Sequence, residues 1–191
     1  MRALFLGAHP DDVEVSAGGT IRTLVDEGWE VWISPQFPAS WERTEEGIEA
    51  AKILGATYMP VSHLDQREAV EFWSDMGFEL IVTPPPRDSH QDHRKVAELG
   101  LSLARKNNIS LWEMNHAIPG GIYGMPALNH FVVFDAEQWR TKQDAIRQHA
   151  SQIEKYGRWW LDAIAARDRY YGVMIDREKL MFAEGFHIVI G

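Results

Sequence analysis

The sequence contains no cysteine among its 191 residues. This absence excludes a disulfide framework, a thiolate metal site and a cysteine nucleophile. Any tightly bound transition metal must therefore be held by histidine and carboxylate side chains.

Long hydrophobic runs are absent as well. No apolar segment of the sequence approaches the roughly 18 residues that a membrane-spanning helix needs. The amino-terminal segment has one arginine and a short apolar run that leads directly into charged residues, which is unlike a signal peptide. We therefore expect a cytoplasmic protein with no integral membrane segment.

Basic residues are fewer than acidic ones. The chain has 19 Lys and Arg residues against 28 Asp and Glu residues, for a net charge of −9. Nucleic acids and anionic membranes are bound by clustered Lys and Arg, so we expect no nucleic-acid partner. A hydrophobic content of 45% is ordinary for a globular protein, and this length suits one core better than two. We predict a single domain that spans residues 1–191.

Through the first 135 residues, short apolar runs typical of strands alternate with segments whose apolar residues have helical spacing. Residues 2–8 predict a central strand, which is followed by a loop through Asp12 and by a helix that begins at Ser16. This alternation predicts right-handed crossovers and a Rossmann-like α/β domain with a mostly parallel sheet flanked by helices. Beyond Asp135 we expect one long helical stretch to about Arg169, and an irregular end that can include a last strand.

Two loops that follow predicted strands carry side chains of the metal-ligand type. The first loop has His9, Asp11, Asp12 and Glu14, and the second has Asp88, His90, Asp92 and His93. In open parallel sheets, ligands bind beyond the carboxyl ends of the strands. Imidazole and carboxylate groups in this number suit zinc, or another divalent first-row ion, with a position left open for water.

Each loop taken alone also has an ordinary interpretation. Asp11 and Asp12 follow a proline and could form a turn that caps the next helix. His90 and His93 could lie in a solvated first helical turn. The metal site is favoured because both loops fall where an α/β sheet places its active site.

The motifs around these loops resemble a known family. The segments "AHPDDVEVSAGGT" and "HQDH" are similar to the two motifs of the LmbE-like, PIG-L-type family of zinc-dependent N-acetylglucosaminyl deacetylases. Further similar segments follow the order of that family, namely "RTEEGIEAAKILGA", "KQDAIRQHASQ" and "FAEGF". Gln91 stands where the second motif usually has proline, which removes no ligand.

The resemblance implies a role for each matching residue. His9, Asp12 and His93 would hold the zinc ion. Asp11 would be the general base that takes a proton from the attacking water.

Three further residues are assigned by the same resemblance. His90 would face the developing oxyanion or protonate the leaving amine, and Asp92 would orient a histidine. Arg43 matches a substrate-binding arginine, although a solvated helix start is an equally good interpretation of that position.

The resemblance therefore implies a metal-dependent hydrolase that removes an acetyl group from an N-acetylated sugar of the GlcNAc type or its conjugate. One alternative is an amidase that acts on other acyl groups or on non-sugar amines. Another is a non-catalytic α/β ligand-binding module, such as one for nucleotides. The first loop speaks against a nucleotide module, because it lacks the Gly-x-Gly-x-x-Gly pattern and presents acids that repel phosphate. Eight tryptophans make self-association into a homo-oligomer plausible.

Overall fold

The computed structural model describes residues 1–38, 40–61, 65–115, 127–175 and 181–191. Within these residues the chain forms seven strands: β1 (Arg2–Gly7), β2 (Glu30–Pro35), β3 (Thr57–Tyr58), β4 (Leu80–Thr83), β5 (Ser110–Met114), β6 (His130–Phe134) and β7 (Phe182–Ile190). The same residues form seven helices: α1 (Asp12–Asp26), α2 (Trp41–Leu54), α3 (Gln66–Ser74), α4 (Gln91–Asn107), α5 (Ala136–Ile146), α6 (Ala150–Tyr156) and α7 (Trp159–Ile175). Among these helices, none is long and apolar enough to cross a membrane.

All seven strands join one sheet in the order β3-β2-β1-β4-β5-β7-β6. The first five strands pair in parallel, and β7 runs antiparallel to both of its neighbours. The prediction of a mostly parallel, Rossmann-like α/β domain is confirmed. Strand order reverses between β1 and β4, which is the position where open parallel sheets bind ligands.

The central strand β1 is covered on both faces. Successive side chains of a strand point to opposite faces, so Ala3 and Phe5 face one apolar cluster while Leu4 and Leu6 face another. The first cluster includes residues from α1, α2 and α5, and the second includes residues from α3 and α4. Burial on both faces explains why β1 is a continuous apolar run in the sequence.

The first helix begins earlier than its sequence predicts. The structure starts α1 at Asp12, whereas the expected start was Ser16. Val13 and Val15 are fully buried, so these positions already belong to the packed face of the helix. The turn into the helix is made at Asp11, whose φ of 135° lies in the region that non-glycine residues rarely adopt.

The carboxyl-terminal third also differs from the expectation. The long helix expected to reach Arg169 is divided into α5, α6 and α7. The chain leaves α6 at Gly157, whose φ of 81° ends the helix. The last strand is a nine-residue element, and it lies inside the sheet between β5 and β6.

Two glycines let α1 approach its neighbours closely. A Cβ atom on Gly19 would overlap the ring of Phe134 in β6. A Cβ atom on Gly18 would lie 2.9 Å from Cγ of Lys142 in α5. Gly18 and Gly19 therefore allow α1 to pack closely against α5 and β6.

Candidate metal centre and active site

The two loops predicted to carry the site meet at the point where strand order reverses. His9 follows β1 and Asp12 begins α1, while His93 lies in the first turn of α4 after β4. Because β1 and β4 are adjacent parallel strands, their carboxyl ends bring both loops to the same edge of the sheet.

Three of the predicted ligands converge there. His9, Asp12 and His93 each offer a ligand atom, and these atoms all lie within 4.8 Å of one another. Asp12 Oδ2 is 3.6 Å from His9 Nδ1 and 3.3 Å from His93 Nε2. The backbone amides of Ala8 and His9 donate to the same Asp12 oxygen at 2.9 and 2.8 Å, which fixes the carboxylate.

The chemistry of this group fits a divalent ion. Two imidazoles and one carboxylate are the ligands of zinc and of other first-row divalent metals. Burial lowers the pKa of His93, but the hydrogen bonds and charges of Asp12 and Asp88 outweigh burial and raise this pKa to about 10. The carboxylates around His93 thus favour a positive charge at this position, which a bound cation also satisfies.

Asp88 is a supporting residue whose role the sequence does not reveal. Its Oδ2 lies 2.8 Å from His93 Nδ1, which leaves His93 Nε2 on the side of Asp12. Its Oδ1 accepts the backbone amide of His90 at 2.7 Å. A carboxylate on the outer nitrogen of a ligand histidine fixes the tautomer and raises the basicity of the ring. The sequence placed Asp88 among the candidate ligands, and only the loop geometry gives it this position.

Asp11 is buried beside the predicted ligands and is paired with Arg43. Arg43 Nη2 donates to Asp11 Oδ1 at 2.5 Å and to the carbonyl oxygen of Pro10 at 2.9 Å. Burial and the neighbouring Asp12 carboxylate raise the pKa of Asp11 to about 7, against the opposing effect of Arg43. The guanidinium of Arg43 is thus directed toward Asp11, and its predicted contact with substrate stays a prediction.

His90 and Asp92 lie at the outer side of the same group. The His90 ring contacts the His9 ring edge-on, with centroids 4.9 Å apart. Asp92 Oδ2 is 3.5 Å from His9 Nε2, and Asp92 Oδ1 accepts from Lys95 Nζ at 3.2 Å. The Asp92 carboxylate is thus closer to His9 than to His90, while the Asp92 backbone amide donates to His90 Nδ1 at 3.2 Å. The catalytic roles assigned to His90 and Asp92 stay predictions.

A second buried pair, Glu14 and His149, lies near Asp11, and no role for His149 was predicted from the sequence. Glu14 and His149 are both buried, with Glu14 Oε1 3.6 Å from His149 Nε2. Burial lowers the pKa of His149, and the carboxylates of Glu14 and Asp11 raise it further than burial lowers it. The sequence feature that could have pointed to His149 is the segment "RQHASQ", in which His149 follows the end of α5.

A cavity of about 900 Å³ opens beside His9 and Asp92. Val96 and Leu99 of α4 contribute an apolar wall, and Phe37 and Lys95 line the cavity as well. A volume of this size is in the range of sites for small organic ligands and exceeds the needs of an acetyl group alone.

Comparison with known proteins gives relatives over the whole chain, although no family model matches. Diacetylchitobiose deacetylase from Thermococcus kodakarensis is 25% identical over 227 aligned residues, which cover 100% of this chain and 84% of the relative. The relative and the motifs together confirm the resemblance to the LmbE-like, PIG-L-type deacetylases.

Solved structures confirm the fold. GalB, the 4-carboxy-2-hydroxymuconate hydratase from Pseudomonas putida, superposes with a TM-score of 0.80 at 17% identity, over 100% of this chain and 96% of the other. The N,N′-diacetylchitobiose deacetylase from Pyrococcus horikoshii superposes with a TM-score of 0.73 at 22% identity, over 99% and 84%. A hydratase and a deacetylase thus share this fold, so the reaction has to be argued from the site.

Proposed function

We propose that this protein is a metal-dependent hydrolase that removes the acetyl group from an N-acetylated sugar of the GlcNAc type, or from a conjugate of such a sugar. The observation that carries the proposal is the convergence of His9, Asp12 and His93 at the sheet edge, with the buried Asp11 carboxylate beside them. The relative with deacetylase activity, which aligns with the whole chain, supports the same reaction.

His9, Asp12 and His93 are the proposed metal ligands, and zinc is the proposed ion. A divalent ion in such a site lowers the pKa of water and polarises a carbonyl oxygen. Asp88 keeps His93 Nε2 directed toward Asp12, and the amides of Ala8 and His9 keep the Asp12 carboxylate in place. The chain's own contribution is a preorganised set of ligands that need no rearrangement when the substrate arrives.

Asp11 is the proposed general base. Burial and the Asp12 carboxylate raise the pKa of Asp11 to about 7 in the absence of a bound cation. A divalent ion next to Asp12 would lower this pKa and favour the ionised carboxylate, which is the form that accepts a proton. Arg43 holds Asp11 Oδ1 at 2.5 Å, so the carboxylate has a fixed orientation next to the ligands. Asp11 would accept a proton from the attacking water and hold it during addition to the amide carbon.

His90 is the proposed partner of the oxyanion and of the leaving amine. Its ring lies next to the His9 and His93 rings, with centroids 4.9 and 5.1 Å away, and half of its side chain is exposed. This position lets a protonated ring donate to the developing negative charge, and later give its proton to the amine. The Asp92 backbone amide donates to His90 Nδ1 at 3.2 Å, which would orient the ring so that its proton is carried on Nε2.

The sugar is the proposed occupant of the cavity beside His9. Its wall of Val96 and Leu99 suits the apolar face of a sugar, and Lys95 and Gln66 offer polar atoms for hydroxyl groups. An amidase for longer acyl groups would use the same wall for the acyl chain. Cytoplasmic location and self-association remain predictions, the latter with Trp41 and Trp159 exposed for contact.

The test is a screen for released acetate. Metal-stripped protein is reloaded with one equivalent of Zn²⁺ and incubated with N-acetylated sugars, nucleotide sugars, glycoconjugates and longer N-acyl analogues. We expect acetate from at least one N-acetyl sugar, and about a 10²–10⁴-fold slower reaction for Asp11→Asn with its metal content retained.

Several results would contradict the proposal. A protein that binds no divalent ion, or a full rate for Asp11→Asn, would refute the mechanism. Release of only longer acyl groups would support the amidase alternative. Binding of a sugar without any product, from protein loaded with metal, would support the non-catalytic module.

A further inference from the structure

The proposed base and the arginine that holds it come from two different helices. Asp11 is the N-cap of α1, and Arg43 lies in the first turn of α2. Their contact therefore depends on how α1 and α2 are held relative to each other. We propose that residues 149–151, which join the end of α5 to the start of α6, form a positioning clamp that holds the two helices where Arg43 meets Asp11. The inference rests on the proposed function, in which Asp11 is the base.

Each helix presents a carboxylate to the clamp one turn beyond the pair. Glu14 lies three residues after Asp11 in the sequence of α1. Glu46 lies three residues after Arg43 in α2. Side chains three residues apart share one face of a helix, so the base and its arginine are each backed by an acidic side chain on the same side.

The clamp binds both of these carboxylates. Glu46 accepts the backbone amide of Ser151 at its Oε1 and the hydroxyl of Ser151 at its Oε2, each at 2.7 Å. His149 Nε2 lies 3.6 Å from Glu14 Oε1, and both of these side chains are buried. One short segment thus contacts α1 through a histidine and α2 through a serine.

The clamp is itself fixed to the core. Ile146, the last residue of α5, is fully buried in one apolar cluster with Val15 of α1. The His149 amide donates to the carbonyl oxygen of Ile146 at 3.1 Å, and the His149 carbonyl oxygen accepts two backbone amides of α6 at 3.0 and 3.1 Å. A segment bonded to helices at both ends moves little, so it can hold the groups that it contacts.

Charge supports the contact between His149 and Glu14. Burial lowers the pKa of His149, but Glu14, Asp11 and Glu46 outweigh burial and raise this pKa above its usual value. The protonated imidazole forms an ion pair with Glu14 across 3.6 Å. Without that proton, the carboxylates behind the base would have Arg43 as their nearby cation and would repel one another.

A loosened clamp should slow the reaction without weakening substrate binding. The segment lines neither the metal centre nor the cavity beside His9. A base that is displaced by a fraction of an ångström transfers its proton less effectively, whereas the ligands and the cavity wall are unchanged. We therefore expect kcat to fall while KM and metal affinity stay within about twofold of the wild type.

The experiment compares two clamp variants with two matched controls in the zinc-loaded protein. His149→Asn removes the charge, and we expect kcat to fall by about tenfold. Ser151→Ala removes one of the two bonds to Glu46, and we expect a loss of about threefold. The controls are Ser74→Ala, at the end of α3, and His130→Asn, on β6, for which kcat should be unchanged.

Two readouts separate positioning from a general loss of stability. In an Arg43→Lys background, His149→Asn should lower kcat by less than about twofold, because the contact that the clamp holds is already disturbed. Backbone hydrogen exchange of α2 should be at least about threefold faster in Ser151→Ala than in the wild type, and unchanged in Ser74→Ala.

The outcomes distinguish this inference from the proposed function. A wild-type kcat in both clamp variants, or a full tenfold loss for His149→Asn in the Arg43→Lys background, overturns the clamp alone. A zinc-loaded wild type that releases no acetate from any substrate overturns the proposed function. The exchange comparison then tests whether the segment holds α2, and equal exchange in Ser151→Ala and the wild type would refute this. Ser151→Ala carries the same test if His149→Asn fails to fold.

Discussion

Among the described residues, two clusters of mostly buried charged side chains differ in whether their charges are matched. The closed cluster consists of Lys142, Arg167, Asp168 and Glu184. The open cluster consists of His9, Asp11, Asp12, Asp88 and His93. Comparison of the two shows where buried charges are matched within the protein and where they are not.

In the closed cluster each charge has its partner inside the protein. Lys142 Nζ lies 2.6 Å from Asp168 Oδ2 and 2.6 Å from Glu184 Oε1. Glu184 also accepts the amides of Gly19 and Thr20 and the hydroxyl of Thr20, at 2.9, 2.7 and 2.6 Å. Arg167 Nη2 lies 2.8 Å from Asp168 Oδ1, which completes two cations and two anions. This cluster links α1 to α5, α7 and β7 and needs no ligand.

In the open cluster the carboxylates outnumber the fixed cations. Asp11, Asp12 and Asp88 lie with two histidines, and the cation that contacts Asp11 is Arg43. Burial, and after it the Asp12 carboxylate, raises the pKa of Asp11, while Asp12 and Asp88 raise the pKa of His93 against the effect of burial. A buried group with unmatched charge is costly for the fold, and the sheet edge at which it lies is open to a bound cation.

The largest expected effect is a loss of stability when the closed cluster is opened. Lys142→Met keeps the packing of the stem but leaves Asp168 and Glu184 short of one cation. We expect the free energy of unfolding to fall by about 3–5 kcal/mol, because an uncompensated buried charge remains. Urea unfolding at pH 7 measures the change, with the exposed Lys52→Met as the control, for which we expect about 0.5 kcal/mol or less. A cost for Lys142→Met as small as that of the control would show that the closed cluster does not stabilise the fold.

The next effect concerns metal affinity in the open cluster. Asp88→Asn keeps the shape of the side chain and removes the charge next to His93 Nδ1. We expect the affinity for the first divalent ion to fall by about 10–100-fold, because the basicity of His93 decreases. Calorimetric titration measures the affinity, and Asp162→Asn in the exposed first turn of α7 is the control. Equal metal affinities for the wild type and Asp88→Asn would show that Asp88 does not support metal binding.

The sequence predicts the position of the open cluster better than its internal contacts. The motif around His9 and the motif around His93 each follow an apolar strand, and parallel pairing places them at one edge. The pairing of Asp88 with His93, and of Arg43 with Asp11, depends on the path of two loops that no local pattern specifies.

The contacts of the closed cluster could not be predicted from the sequence, although Lys142 and Glu184 lie in two of the segments that resemble the family. Its members come from α5, α7 and β7, and Lys142 is separated from Glu184 by 42 residues. The insertion of β7 between β5 and β6 brings Glu184 to α1, and this pairing is set by contacts between distant segments. The strands and helices of the first 135 residues were predictable because the spacing of apolar residues within each segment is typical of a strand or of a helix.

A smaller effect is expected from backbone strain, which marks the open cluster and is absent from the four residues of the closed one. Asp11 has φ of 135°, so a glycine fits this position better than an alanine does. We expect Asp11→Gly to be more stable than Asp11→Ala by about 1 kcal/mol, although both lack the carboxylate. At Asp162, in the first turn of α7, the same pair of substitutions should give the opposite order, since glycine is a weaker helix former than alanine. Urea unfolding of all four variants decides the matter, and an Asp11→Ala variant as stable as Asp11→Gly would argue against strain.

The smallest effect is expected at an exposed ion pair, which should contribute less to the free energy of unfolding than either buried cluster. Asp26 accepts from Arg22 Nε and Gln138 Nε2 at 3.0 Å each, and these hydrogen bonds lower the pKa of Asp26. Because the pKa of Asp26 is lower in the folded state, its contribution to the free energy of unfolding is complete above the unfolded-state pKa of about 3.9. The contribution is lost as the pH falls through the folded-state pKa. We expect Asp26→Asn to cost about 0.5 kcal/mol at pH 7, and the difference from wild type to close below about pH 4. Urea unfolding from pH 7 to pH 3, combined with Arg22→Met in a double-mutant cycle, measures the coupling. A difference that grew as the pH fell would contradict the assignment, because protonated Asp26 resembles the asparagine that replaces it.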